Sequence, residues 1–494
     1  MNRVIDYAIV LLYLGVVAAI TLRVARGQKN KEDFIMAGRS MHWFPLALSG
    51  VAASFSAISL LGCPGFVMAQ DMRYLPTLFM GVASIPVVYY LVVPFLYKLK
   101  LVSIYSYLGE RFCPGIRYVA SALFMISKLG YLAMSIYTPS LALAAVTGLP
   151  VELFICILGM LTTAYTLVGG MSAVVWTDVA QYFVIVAGIT GAVIFFLFFS
   201  GGSAGEYWEI AAAAGKTRTF DFSFDLSSLS VWVIFLNCTL LGIAGTCSSQ
   251  DSVQRLCAAK SIRDSMKGYL FSIVFGVPIV LVLYFIGIWM YGFFHSRAVL
   301  PAALAATPDR VFPYFTITYL PTGVAGLLLA GILAAGMSTI SAVLHSLTSV
   351  FMVDVYEKFI RADARSSRYV QTSRIVTGIW GLLAVIGAFY VMYLGDTIVE
   401  VTQTLTALTG SSLGGIFLLG IFSRRTNSAG VLSGCILGLL VTVGAWYVNR
   451  SGLLKINFMW YGVFGLLTTC VVGYLTSLLF PAPPPRQTGD PDRK

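Results

Sequence analysis

Charge is scarce in this chain. Of 494 residues, 11% are Asp, Glu, Lys or Arg, against about 25% in a soluble domain, which excludes an ordinary solvated globule. Histidine is scarcer still: His42, His295 and His345 are the only three. No paired acid or metal-ligand spacing surrounds them, which argues against a membrane-embedded enzyme. The eight cysteines fall inside apolar stretches or near basic segments, so neither a disulfide framework nor a zinc site is expected. Long polar segments are missing too, the longest connections being about 20–30 residues, around 201–229 and 296–322. No filter repeat or charged ring suggests an ion channel, and no appended signalling domain of the kind a transporter-like sensor needs is expected before Lys494.

What is present is apolar length, with 58% of the residues hydrophobic. Thirteen stretches approach the roughly 20 residues that cross a bilayer core. They cover residues 5–21, 44–69, 75–97, 119–146, 151–168, 174–200, 231–248, 269–294, 323–353, 375–394, 399–422, 429–447 and 458–480. The pattern predicts an all-α membrane protein embedded in a lipid bilayer. The first stretch is not read as a cleaved signal peptide, because its positive charges follow the apolar run. With the N-terminus outside, the cytoplasmic connections hold 23 Lys and Arg against 8 outside, with Lys128 left inside a span. The positive-inside rule therefore places the C-terminus in the cytoplasm of a cell-membrane protein. The net charge of +11 reports this topology, and no nucleic-acid partner is expected. The proline-rich, charged tail from Pro481 is expected to be disordered, and the protein is expected to act as a monomer.

Ser338, Thr339 and Ser341 interrupt the apolar run 327–353, which otherwise reads as lipid-buried. Hydroxyls at membrane depth cost free energy unless they bind something or hydrogen-bond a neighbour. Helical spacing puts Ser338 and Ser341 on one face, with Ala335 a turn below. One carbonyl and two hydroxyls can converge there on a small hard cation such as sodium. The alternative is that the hydroxyls bond back to their own helix.

Two spans carry further interruptions. The second contains Ser54, Phe55, Ser56 and Ser59 and then Gly62-Cys63-Pro64-Gly65; the seventh contains Asn237, Gly242, Gly245 and Ser248-Ser249-Gln250. Such breaks free carbonyls that membranes tolerate where they line a cavity. Five elements separate the two, the signature of two inverted five-helix halves with a site at mid-membrane. Small residues that merely allow close helix packing are the competing explanation. Substrate contacts in such folds come from the unwound span and its neighbours, which makes Ser54, Ser56, Ser59, Tyr74, Tyr131 and Asn237 candidates. Lys128, about 16 Å of helix beyond Arg117 and on the face of Tyr131, either offsets an anionic substrate or is paired with an acid such as Asp178.

Four segments carry a resemblance: 169–181 (GGMSAVVWTDVAQ), 249–255 (SQDSVQR), 105–112 (YSYLGERF) and 334–341 (AAGMSTIS). In this order among these spans they resemble the solute:sodium symporters over nearly the whole chain. The resemblance implies a LeuT-type 5+5 inverted repeat preceded by one helix and followed by two, with sodium-driven uptake by alternating access. The corresponding divisions are 1–42, 43–200, 230–423, 424–480 and the tail 481–494. It also implies a sodium site made of the carbonyls of Ala52, Phe55 and Ala335 and the hydroxyls of Ser338 and Thr339. A second sodium site found in some members would use Asp178, Ser338 and Ser341, but Ala342 stands where a further hydroxyl belongs. Asp178 is alternatively a cytoplasm-facing helix cap. The sialic-acid branch carries Arg at the position of Tyr131 and Gln at that of Leu78, so its usual clamp is missing. The segment Ile136–Leu143 is similar to the monocarboxylate, iodide and vitamin branch. A small organic anion such as a monocarboxylate is therefore expected, with a neutral polar solute, a sugar or sialic acid as the alternative.

Overall fold

The computed structural model describes residues 4–25, 31–305, 307–360, 367–394 and 398–481; the tail expected to be disordered lies almost wholly outside them. Among the described residues the elements are helical. Eleven helices are long and apolar enough to cross a membrane, and one bent pair adds a twelfth crossing. In chain order they are α1 (Val4–Ala25), the bent pair α2 (Trp43–Ser54) and α3 (Ala57–Ala69), and α4 (Thr77–Leu99). A short α5 (Tyr105–Arg111) leads to α6 (Pro114–Thr147) and α7 (Val151–Phe198). Outside the spans lies α8 (Ala204–Ala213); α9 (Val231–Ser248) and the short α10 (Gln250–Cys257) follow. The remainder are α11 (Ile262–Ser296), α12 (Val324–Ile360), α13 (Ser367–Val391), α14 (Ile398–Phe422), α15 (Ser428–Arg450) and α16 (Phe458–Leu478).

The stretches expected at 151–168 and 174–200 run together in α7, which is 48 residues long. In line, these would reach ~72 Å, more than twice a ~30 Å hydrocarbon core. Gly170 interrupts them with φ +54° and ψ −171°, a conformation that a side chain would make costly. The thirteen crossings expected from the sequence require this break to separate two of them.

The run around Ser338 does not face lipid. Every residue from Ala330 to Val350 is buried, making α12 the axis around which the other helices are arranged. Close approach explains this. A Cβ on Gly188 of α7 would lie 2.9 Å from the Leu328 Cα, so only glycine allows the two backbones to pack at this point. Asp6 of α1 caps the start of α12, accepting the Gly323 and Gly326 amides at 2.7 and 2.8 Å; these are donors that a helix start leaves open. Large apolar side chains are exposed instead on peripheral helices, among them Leu12 on α1, Leu440 on α15 and Val471 on α16, as a lipid-facing surface requires. All eight cysteines are free thiols.

Candidate functional site

The α2–α3 span bends by 52°. Phe55 leaves helical geometry at φ −90° and ψ +82°, and Ser56 is extended. The Phe55 amide closes the last turn of α2 on the Val51 carbonyl at 2.7 Å. The next carbonyls are met from α12: Ser338 Oγ donates to Ala52 O at 2.7 Å, and Thr339 Oγ1 to Ala53 O at 3.2 Å. Both hydroxyls also lie 3.1 Å from Ala335 O. Four of the five oxygens expected to hold sodium, from Ala52, Ala335, Ser338 and Thr339, thus converge at one break. The carbonyl of the fifth residue, Phe55, belongs to the break itself. The donors are hard and neutral, the chemistry that suits a monovalent ion that must bind and then leave.

Asp178 is fully buried within α7, which overturns the reading of a cytoplasm-facing cap: no helix begins there. Its Oδ2 accepts from Ser49 Oγ at 2.6 Å and lies 3.6 Å from Arg255 Nη2. Its Oδ1 finds no partner among the described residues, nor does Gln181 Oε1. The two residues lie three apart on one helix face. Ser341 Oγ donates back to Ser338 O at 3.0 Å. Two orphaned buried acceptors in one place are costly unless a cation joins them, so this cluster fits a second sodium even though Ala342 brings no oxygen.

Lys128 is paired, but not with Asp178: its Nζ lies 2.9 Å from Asp251 Oδ1 and 5.4 Å from the Tyr131 ring centroid. Asp251 and Arg255 stand one turn apart on α10, just past the break at Ser249 (φ −91°, ψ +111°). Each takes an opposite charge from a different long helix, Asp251 from α6 and Arg255 from α7.

A cavity of about 700 Å³ opens between these elements. Ser54, exposed at the break, lines it together with Lys128, Tyr131 and Asn237. Ser56 and Ser59 do not line it; Ser56 is buried and Ser59 half-buried. Tyr74 reaches it only through Gln403, whose Nε2 donates to Tyr74 Oη at 2.9 Å. Asn237 donates to Met459 O at 2.7 Å. Gln403 and Thr406 of α14, Thr77 of α4, and Asp251 and Arg255 of α10 are among its other polar lining residues. A lone amide among threonines in the apolar run 398–422 was the available signal for Gln403.

A broken span facing hydroxyls on a buried helix, beside a cavity that carries polar and charged side chains, is the architecture of a secondary transporter. Residues 34–438 match the model of the Sodium:solute symporter family, and the chain belongs to that family. It is 29% identical over 480 residues to the sodium/sialic acid symporter NanT of Aliivibrio fischeri, covering 96% of this chain and 93% of that protein. It is 29% identical over 475 residues to sodium-coupled monocarboxylate transporter 2 of Danio rerio, covering 92% of this chain and 74% of that protein. The fold matches the substrate-bound, outward-open structure of a Na+-coupled sialic acid symporter with a TM-score of 0.87 at 27% identity, over 97% of this chain and 98% of that one. The chain is a sodium-coupled symporter of the all-α, LeuT-type fold, and sodium is its coupling ion.

Proposed function

We propose that the protein imports a carboxylated sugar of the sialic-acid class with sodium. The cavity carries this reading: about 700 Å³ has room for some twenty waters at ~30 Å³ each. A three-carbon acid would leave most of that space to solvent. Two relatives aligned over 93% and 95% of their length act on sialic acid by name, so the alternative fits better than the monocarboxylate expected from the sequence. Tyr131 and Leu78, in place of Arg and Gln, both line the cavity. Lys128 supplies the cation instead, and the substrate carboxylate competes with Asp251 for it.

Sodium binds at Ala52, Phe55, Ala335, Ser338 and Thr339, and a second ion binds at Asp178, Gln181 and Ser341. Two inverted halves, 43–200 and 230–423, rock about this site with the N-terminus outside. The reading is tested by melting the purified protein with and without sodium in the presence of N-acetylneuraminate, lactate or glucose. A ligand at 100 times its Kd adds about 2.7 kcal/mol. N-acetylneuraminate is expected to raise the melting temperature only with sodium present; stabilisation by lactate alone would overturn the assignment.

A further inference from the structure

Behind the main cavity lies a second chamber of about 220 Å³, walled by α6, α9, α14 and α16. The two share Lys128, Asn237, Leu241, Gln403 and Thr406, so they adjoin along one row of side chains. At ~30 Å³ per water the chamber has room for about seven, far more than a packing defect.

Its walls are largely apolar, with a few hydroxyls and amides set into them. Ser127 and Ser248 are 7% and 5% exposed, and both line the chamber. Neither hydroxyl makes a hydrogen bond among the described residues, whereas those of Ser249 and Ser411 are satisfied by Asp251 and Ala407. Both oxygens are open to the chamber instead of sealed in protein, so a hydrogen-bonding group that enters it finds two unengaged partners. The only charged group on the wall is Lys128, and Asp251 neutralises it. Gly245 keeps the space open: a Cβ there would meet nothing within 4 Å. Phe124 and Phe458 supply apolar faces at the sides.

We infer that this chamber is a subsite for a neutral, hydrogen-bonding arm of the substrate, such as a hydroxylated chain, while the carboxylate stays in the main cavity. Ser127 and Ser248 are then specificity-determining residues that separate long acidic sugars from short ones. This rests on the acidic-sugar reading above.

The test fills or depolarises the chamber and compares two substrates in proteoliposomes. One is N-acetylneuraminate; the other is its analogue with the exocyclic glycerol chain cut to one carbon by periodate and borohydride. In Gly245→Leu the KM for the intact sugar is expected to rise at least tenfold, and that for the cut analogue to change less than twofold. Ser127→Ala with Ser248→Ala adds no volume and keeps the test open if the leucine variant does not fold; it is expected to show the same selectivity at three- to tenfold. Equal effects on both sugars, or none on either, overturn the subsite while leaving the acidic-sugar reading intact. Wild-type protein that transports neither sugar overturns that reading, and the subsite with it.

Discussion

The Ser338 hydroxyl on α12 donates to the Ala52 carbonyl on α2 at 2.7 Å, across 286 residues of sequence. It joins a fully buried helix to the last turn before a break, so one oxygen pair reports how the two helices stand. An ion bound between them draws both hydroxyls off their carbonyl partners and replaces about 1 kcal/mol of hydrogen bonding each with direct coordination. On the proposed site, sodium binding and the angle at Phe55 form one equilibrium, the linkage that coupled transport needs.

Arg255 answers for Asp178. Its Nε donates to Ser49 Oγ at 3.1 Å while its Nη2 lies 3.6 Å from the carboxylate. Arg255→Met leaves a buried charge without its cation, a change that costs about 3–5 kcal/mol. The melting temperature of the single variant should fall markedly. Asp178→Asn combined with Arg255→Met should recover part of the loss, whereas additive losses would show that the pair is not coupled.

Charge movement follows from Asp178 Oδ1 and Gln181 Oε1, two buried acceptors left open three residues apart on α7. If a cation joins them, two sodium ions accompany one monoanion and each cycle moves one positive charge inward. A potential of 100 mV then contributes about 2.3 kcal/mol per cycle. Solid-supported membrane recordings should show an inward current with N-acetylneuraminate in wild type, and loss of that current in Asp178→Asn. A silent wild type that still accumulates the sugar would mean one sodium per cycle.

Outside the spans, Arg73 clasps two acids, Asp71 at 2.8 Å and Asp221 at 3.2 Å. The Ser223 amide, its hydroxyl and the nearby arginines hold the Asp221 carboxyl below the usual carboxylate range. A depressed folded-state pKa adds stability above the unfolded value, near 3.9, and that stability is lost as pH falls through the folded value. Asp221→Asn should therefore lower the melting temperature by a constant amount between pH 5 and 8, worth about 1–2 kcal/mol. The gap to wild type should close below about pH 4; a gap that persists there would assign the loss to packing instead.

Spacing within one helix was readable from the sequence, and contacts between helices were not. Ser338 and Thr339 stood out because hydroxyls in an apolar run need partners, and the break at Phe55 showed where the carbonyls were. Asp178 was readable as a buried acid in kind but not in partner. The extended Ser249 turns the chain so that Arg255 Nη2 on α10 comes within 3.6 Å of Asp178 on α7, a meeting that spacing within either helix does not show. The pairing of Lys128 with Asp251 spans 123 positions, from 128 to 251, and no local pattern encodes it. The second chamber was invisible for the same reason: its walls come from four helices, and no local pattern brings them together.

The most direct test of sodium coupling at the break is uptake into proteoliposomes under an imposed inward sodium gradient, comparing wild type with Ser338→Ala/Thr339→Ala. Wild type is predicted to accumulate N-acetylneuraminate above equilibrium and to lose it when a sodium ionophore collapses the gradient. The double variant should insert and melt normally yet take up less than a tenth as much. Accumulation that survives both the ionophore and the double substitution would contradict the account.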